Sequence, residues 1–107
     1  MEYQALMIRT IDPRHMDDVA RIFAEHDRTT DLPRRIGVRR RELFEFHGLY
    51  LHLVESDVPF MDRLLEARKD PQFIEVDRKL DAFLRPYRDD TPTMAESRAR
   101  SFYTWTG

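Results

Sequence analysis

The fold of this 107-residue chain is decided by residues 38–55, VRRRELFEFHGLYLHLVE. Two runs rich in aromatic and aliphatic residues flank the dipeptide His47-Gly48, which suits the tight turn of a β-hairpin. The pattern predicts one strand at about 38–46 and a second at 49–55, with the residues on either side of the turn facing each other. This antiparallel pair supplies half of a predicted four-stranded sheet.

The predicted hairpin has two chemically different faces, because side chains alternate across a strand. The first, called here the Arg41–His52 face, makes these two residues diagonal neighbours about 7–8 Å apart at the backbone. The second, called here the Phe44–Leu51 face, is dominated by large apolar side chains. Alternation leaves open which face packs against helices. The faces carry Arg39, Arg41, Leu43, Glu45, Tyr50, His52 and Val54 on the first, and Arg40, Glu42, Phe44, Phe46, Leu49, Leu51, Leu53 and Glu55 on the second.

Outward from the hairpin, the chain predicts one further strand at each end and three helices. Aspartate followed by proline marks a helix start at Asp12-Pro13 and again at Asp70-Pro71. The first helix has an apolar stripe that turns polar in its last turn, at His26 or Asp27. The predicted elements are a strand at 3–9, a helix from residue 12, a loop at 29–35, a helix at 57–69, a helix from residue 70, a polar connection at 88–97 and a final strand at 99–105.

The element order β-α-β-β-α-α-β contains the β-α-β-β-α-β frame of the ferredoxin-like α+β class, with helices on one face of an antiparallel sheet. Right-handed crossovers place the first and third strands in the middle. The length and the lack of a linker or repeat predict a single domain over residues 1–107. If the Phe44–Leu51 face is the one without helices, it exposes more contiguous apolar surface than soluble monomers tolerate, which predicts a homodimer.

Composition excludes several classes of protein. The formal net charge of -2 argues against binding of nucleic acid through overall charge, and the run Arg39–Arg41 is split between two faces. The absence of cysteine excludes disulfides and thiolate chemistry. No apolar run reaches the roughly 20 residues of a membrane span, and no signal peptide precedes the first strand, so we expect a cytoplasmic protein without membrane contact.

Two pairs of polar residues are candidates for chemistry. Arg41 and His52 are suited to binding ketone oxygens and stabilising negative charge, and Asp27 beside His26 suits a general base or the orienter of a histidine. The structural alternatives are a surface ion pair of Arg41 with Glu45 and a frayed helix end. The histidines and Asp27 lack the spacing typical of metal sites, so we expect no metal.

Motifs spread over nearly the whole chain resemble the signature of the tetracenomycin-type polyketide synthesis cyclases. The central stretch from Phe23 to Leu53 carries most of the resemblance. The matching segments are Tyr3–Met7, Ala24–Asp27, Leu32-Pro33, Ile36–Arg41, Leu43-Phe44, Phe46-His47, Leu49–His52, Ala67-Arg68, Pro71–Phe73 and Phe102–Trp105.

The resemblance implies a dimeric α+β barrel with a pocket between sheet and helices. It implies a cyclase of antibiotic or pigment biosynthesis that folds a poly-β-ketone, or a partly cyclised intermediate, and promotes aldol-type ring closure with loss of water. No cofactor is expected, and brief contact with polyketide synthase components is. The family's functional positions are matched by His26, Asp27, Arg41 and His52. A cofactor-independent monooxygenase of polycyclic polyketides and a non-catalytic polyketide-binding protein remain the alternatives.

Overall fold

The computed structural model describes residues 3–107, which form a four-stranded antiparallel sheet and four α-helices. The strand order β2-β3-β1-β4 places the first and third strands in the centre, so the predicted α+β class and ferredoxin-like order are confirmed. The predicted domain begins at Met1, which lies outside the described residues. The elements are β1 Tyr3–Ile11, α1 Met16–Thr29, α2 Leu32–Ile36, β2 Arg40–Phe46, β3 Leu49–Ser56, α3 Met61–Ala67, α4 Pro71–Asp81 and β4 Leu84–Pro86.

The β2–β3 hairpin has the predicted register. Arg41 lies opposite Val54, and the turn residues His47 and Gly48 both have positive φ, at 49° and 87°. Two consecutive left-handed residues are the geometry of a type I′ turn, whose twist matches that of the flanking strands. The Glu45 carboxylate accepts a hydrogen bond of 2.7 Å from the Gly48 amide. This contact ties the turn to the strand that enters it.

The helices cover the Arg41–His52 face of the sheet and leave the Phe44–Leu51 face open. Tyr50 and Val54, on the first face, are buried. Phe44 and Phe46, on the second face, are 45% and 63% exposed. The structure therefore decides the orientation that alternation left open.

Two apolar clusters lie between the sheet and its helices. One brings α2 and α3 against one end of the sheet, and the other brings α1, α4 and β4 against the opposite end. Because the helices form two separate packing units, space remains between them over the middle of the sheet. The clusters consist of Ala5, Met7, Leu32, Ile36, Val54, Phe60 and Leu64, and of Ile11, Val19, Phe23, Tyr50, Val76, Leu80 and Leu84.

The predicted final strand at 99–105 is wrong. The fourth strand is Leu84–Pro86, and the chain returns to β1 only at a single bridge between Arg98 and Met7. Beyond that bridge the described chain leaves the sheet, and Phe102 is 95% exposed. The alternating aromatic residues satisfy the side-chain preference of a strand, but a strand also needs a partner, and the last backbone contact with β1 is the Ala99 amide donating to the Leu6 carbonyl at 2.6 Å.

The segment predicted as a loop at 29–35 is also wrong, because it contains α2. Pro33 lies in the first turn of this helix, where its missing amide costs nothing. Gly37 then ends α2 with φ of 104°, and its amide donates to the Pro33 carbonyl. Other boundaries differ by a few residues: β1 continues to Ile11, and α3 covers only part of 57–69.

Candidate functional site

A cavity of about 330 Å³ lies between the two apolar clusters, over the middle of the Arg41–His52 face. This volume is within the range of small-molecule binding sites. Its walls are mostly apolar side chains from both clusters. The polar and charged side chains among its lining residues are Arg9, His26, Arg41, Tyr50, His52, Arg68, Asp77, Thr93 and Ser97.

Arg41 is held in place by Asp27. Its Nε and Nη2 donate to the two carboxylate oxygens of Asp27 at 3.0 and 2.9 Å, a bidentate pair between β2 and the last turn of α1. The Arg41 side chain is 14% exposed, whereas that of Asp27 is 39% exposed and is not part of the cavity lining. The geometry makes Asp27 a positioning residue, and the alternative pairing of Arg41 with Glu45 is wrong.

The predicted contact between Arg41 and His52 is confirmed. Arg41 Nη1 lies 3.0 Å from His52 Nε2. A guanidinium only donates, so His52 accepts at Nε2 and carries its proton on Nδ1. Burial, together with the Arg41 charge, lowers the pKa of His52 to about 3. His52 is therefore neutral at physiological pH and offers an N–H donor.

Phe23 fixes the orientation of both groups from α1. The Arg41 guanidinium carbon lies 4.6 Å from the centre of its ring, a cation–π distance. The His52 ring is 5.1 Å away, centre to centre. The Phe23 ring thus forms an apolar wall that contacts both Arg41 and His52.

His26 brings a second imidazole to the cavity from α1. Burial is the main cause that lowers its pKa from the ordinary value of 6.5, and Arg41 adds to the effect, while Asp27 opposes it. Among the hydrogen bonds of residues 3–107, none involves the His26 ring. A neutral imidazole without a partner is a base that can accept a proton from a bound molecule.

Sequence reasoning missed Arg9 and underestimated Tyr50. Both line the cavity, and they lie directly opposite each other on β1 and β3. Arg9 could have been identified from the sequence, because it is two positions from both Met7 and Ile11. Residues two apart in a strand share a face, and these two neighbours are buried on the inward side of β1. Tyr50 was placed on the correct face but without a role.

Within residues 3–107, no group of three or more His, Cys, Asp or Glu side chains is arranged to hold a metal ion. In the same residues, no helix has the length and apolar character needed to cross a membrane.

The chain matches the family model described as polyketide synthesis cyclase over residues 3–106. It is 50% identical to tetracenomycin F2 cyclase of Streptomyces glaucescens over 106 residues, which cover 99% of this chain and 96% of that protein.

Two solved structures are similar to this chain to different degrees. The structure of tetracenomycin F2 cyclase, a type-II polyketide cyclase, superposes with a TM-score of 0.91 over 98% of both chains. An antibiotic biosynthesis monooxygenase has a TM-score of 0.52 at 17% identity, covering 77% of this chain and 85% of its own. That second likeness shows a shared fold alone.

Proposed function

This chain belongs to the polyketide synthesis cyclase family, and we propose that it closes a ring in an aromatic polyketide by an intramolecular aldol reaction with loss of water. The observation that carries the proposal is the cavity in which the Arg41 guanidinium and the neutral imidazoles of His26 and His52 meet over apolar walls. These groups suit a substrate that is flat, apolar and rich in ketone oxygens.

In the proposed reaction, His26 removes a proton from a methylene flanked by two ketones. The resulting enolate carbon bonds to a second carbonyl carbon, whose oxygen becomes an alkoxide and takes the proton from His26. Neutral His26 then removes the second proton of the former methylene carbon and donates it to the hydroxyl, which leaves as water while the carbon–carbon double bond forms. Each proton taken up is returned, so the chain is regenerated without a cofactor.

Arg41 and His52 stabilise the charge that develops on oxygen. The guanidinium and the His52 Nδ1–H are donors fixed in advance by Asp27 and Phe23, and fixed donors in an apolar site need little reorganisation as charge develops. Asp27 acts through Arg41 rather than on the substrate. All four residues predicted from the sequence therefore have proposed roles, three of them in contact with substrate.

Holding the polyketide in one conformation accounts for much of the rate acceleration. A methylene between two ketones is already acidic, so the base can be weak, whereas bringing two carbons of a flexible chain together removes several kcal/mol of barrier. The apolar walls from both clusters provide that shape.

A homodimer is the second part of the proposal. The open face of the sheet combines Phe44 and Phe46 with Leu51 and with Leu6 and Ile8 of β1, and a second copy would cover it. The exposed aromatic residues at 102–105 offer further apolar surface to the same partner. Cytoplasmic location and brief contact with synthase components stay predictions.

Incubation with tetracenomycin F2, the compound in the relative's name, tests the activity by product mass. We expect a product lighter by one water, formed faster than in a control without protein. A product heavier by oxygen would identify a monooxygenase. Tight binding with no increase in rate would identify a polyketide-binding protein, and either result would overturn the proposal.

A further inference from the structure

Tyr50 is buried in the wall of the cavity, yet its hydroxyl has no hydrogen-bond partner within the described chain. The residue is 4% exposed and lines the cavity from β3. No fully enclosed side-chain nitrogen or oxygen in residues 3–107 lacks a partner, so the Tyr50 hydroxyl opens onto the cavity space. A buried hydroxyl normally has a partner, and here the space beside it is where a ligand would lie.

Two guanidiniums act on this hydroxyl. Burial raises the pKa of Tyr50 well above its ordinary value, while Arg41 and Arg9 both oppose the shift. The phenol is therefore neutral and able to donate a hydrogen bond. Both arginines also line the cavity, so an oxygen that accepts this bond lies in a positive electrostatic field.

Arg9 is fixed for such a role from the other side of β3. Its side chain is 16% exposed, with Nη1 3.5 Å from Asp81 and Nη2 donating to the Pro92 carbonyl at 3.1 Å. These contacts hold the guanidinium against α4 and the segment that follows β4. A guanidinium has five N–H donors, so further donors remain for a ligand.

The polar groups form a diagonal across the sheet. Arg41 and Arg9 lie on β2 and β1, two strands and four residues apart in register, which separates their backbones by roughly 16 Å. His52 and Tyr50 lie between them on β3. A substrate with oxygens along its length can therefore be held at both ends of this diagonal.

We propose that the Tyr50 hydroxyl and Arg9 form a second oxygen-binding site, which holds the polyketide away from the reacting carbons and thereby determines which carbons meet. The inference rests on the proposed function. It adds specificity-determining residues at the end of the cavity opposite to Arg41.

Tyr50→Phe tests the site, because it removes one hydroxyl and keeps the ring in the core. With tetracenomycin F2 as substrate, we expect kcat/KM to fall about 3- to 10-fold, the loss of one neutral hydrogen bond, mainly through KM, with a larger share of wrongly closed product. Tyr87→Phe, on a tyrosine that is 60% exposed and outside the cavity, is the matched control. Unchanged KM and product ratio in an active Tyr50→Phe protein would overturn the inference.

Arg9→Lys and Arg9→Gln provide an independent measurement. We expect Arg9→Gln to raise the dissociation constant of tetracenomycin F2 about tenfold. Arg9→Lys should raise it less, since this substitution retains the positive charge. Arg85→Gln, which contacts the backbone of α4 but does not line the cavity, controls for loosening of the structure. Equal binding by Arg9→Gln and wild type would also overturn the inference.

Binding and turnover separate this inference from the function on which it rests. If wild type binds tetracenomycin F2 without converting it, the proposed cyclase reaction fails, while the binding constants of the variants still test the second site. If wild type converts the compound and both sets of variants match it, only the second site fails.

Discussion

The two faces of the sheet are built from the same strands but have opposite chemistry. The helix-covered face carries Arg9, Arg41 and His52 around a cavity, whereas the open face carries phenylalanine and leucine without polar groups at its centre. In an ordinary antiparallel sheet with one covered face, the open face is polar and solvated. An open face that is apolar, together with polar groups around a cavity on the covered face, supports our proposal that the covered side holds a ligand and the open side binds a second copy.

The charged side chains of the covered face are tolerated beside the core for a physical reason. Charged groups next to a core are tolerated only when they are paired, and here Asp27 neutralises Arg41 while His52 remains uncharged. On the open face, large apolar side chains such as Phe44 and Phe46 are exposed to water, and no helix of the described chain covers them. The inner face thus depends on helix α1, and in our proposal the outer face depends on a second copy.

Substitution on the open face tests whether this face forms the dimer interface, and it has the largest expected effect. Phe46→Glu places a carboxylate in the proposed dimer interface, and two-fold symmetry counts the penalty twice, so we expect the dissociation constant to rise roughly 10³-fold or more. Sedimentation velocity over a range of concentrations measures it. Ile74→Glu, on an exposed side chain of α4, is the control and should stay dimeric. Wild type that is monomeric at micromolar concentration would contradict the dimer.

Neighbouring arginines on β2 compare the two faces directly. Arg41→Ala removes the donor that faces the cavity, and we expect kcat to fall about 10²- to 10³-fold, the usual cost of losing one such donor. Arg40→Ala removes an ion pair with Glu42 and Glu55 on the opposite face, and should change kcat by less than about twofold, since surface pairs are weak. Similar losses in both variants, measured with folded protein, would contradict the assignment of the cavity as the active site.

The sequence predicted local pairing better than tertiary contact. The register of the hairpin followed from His47-Gly48, because a two-residue turn fixes every pair along the strands. The identity of the covered face did not follow, since it depends on where the helices pack. Phe102–Trp105 failed as a strand for the same reason: its side-chain pattern is local, whereas its partner is not.

The site was predicted in part. Alternation brought Arg41 and His52 together, the helical stripe indicated His26 and Asp27, and the resemblance matched all four positions. Sequence did not show that Asp27 contacts Arg41 instead of the cavity, because that depends on the angle at which α1 crosses β2. Arg9 was within reach of the same alternation argument, but β1 is a central strand with apolar residues on both faces, so the sequence pattern did not show which face is inward.

The pH profile tests His26 as the base. Its lowered pKa keeps the imidazole neutral below pH 6.5, so kcat/KM should stay constant to below that value and fall only when His26 gains a proton. His26→Asn should lower kcat about tenfold, a small effect because the substrate methylene is itself acidic, and should remove the acid limb. His15→Asn, near the start of the same helix and outside the cavity, is the control. An acid limb unchanged in His26→Asn would assign the base elsewhere.

The pH dependence of stability tests the neutral state of His52. In the unfolded chain its pKa is near 6.5, and in the folded chain burial and Arg41 lower it to about 3. Between these values the unfolded chain binds more protons, so the free energy of unfolding falls as pH falls through this window, by at most about 1.4 kcal/mol per pH unit.

Urea denaturation of wild type and His52→Gln across that window isolates this contribution, because the carboxylates titrate in both proteins. We expect a shallower slope in His52→Gln, and a slope equal to wild type in His47→Asn, whose side chain lies exposed at the hairpin turn. Equal slopes in wild type and His52→Gln would mean that His52 is protonated in the folded chain. Arg41 would then face a second positive charge, and the hydrogen bond between them would be lost.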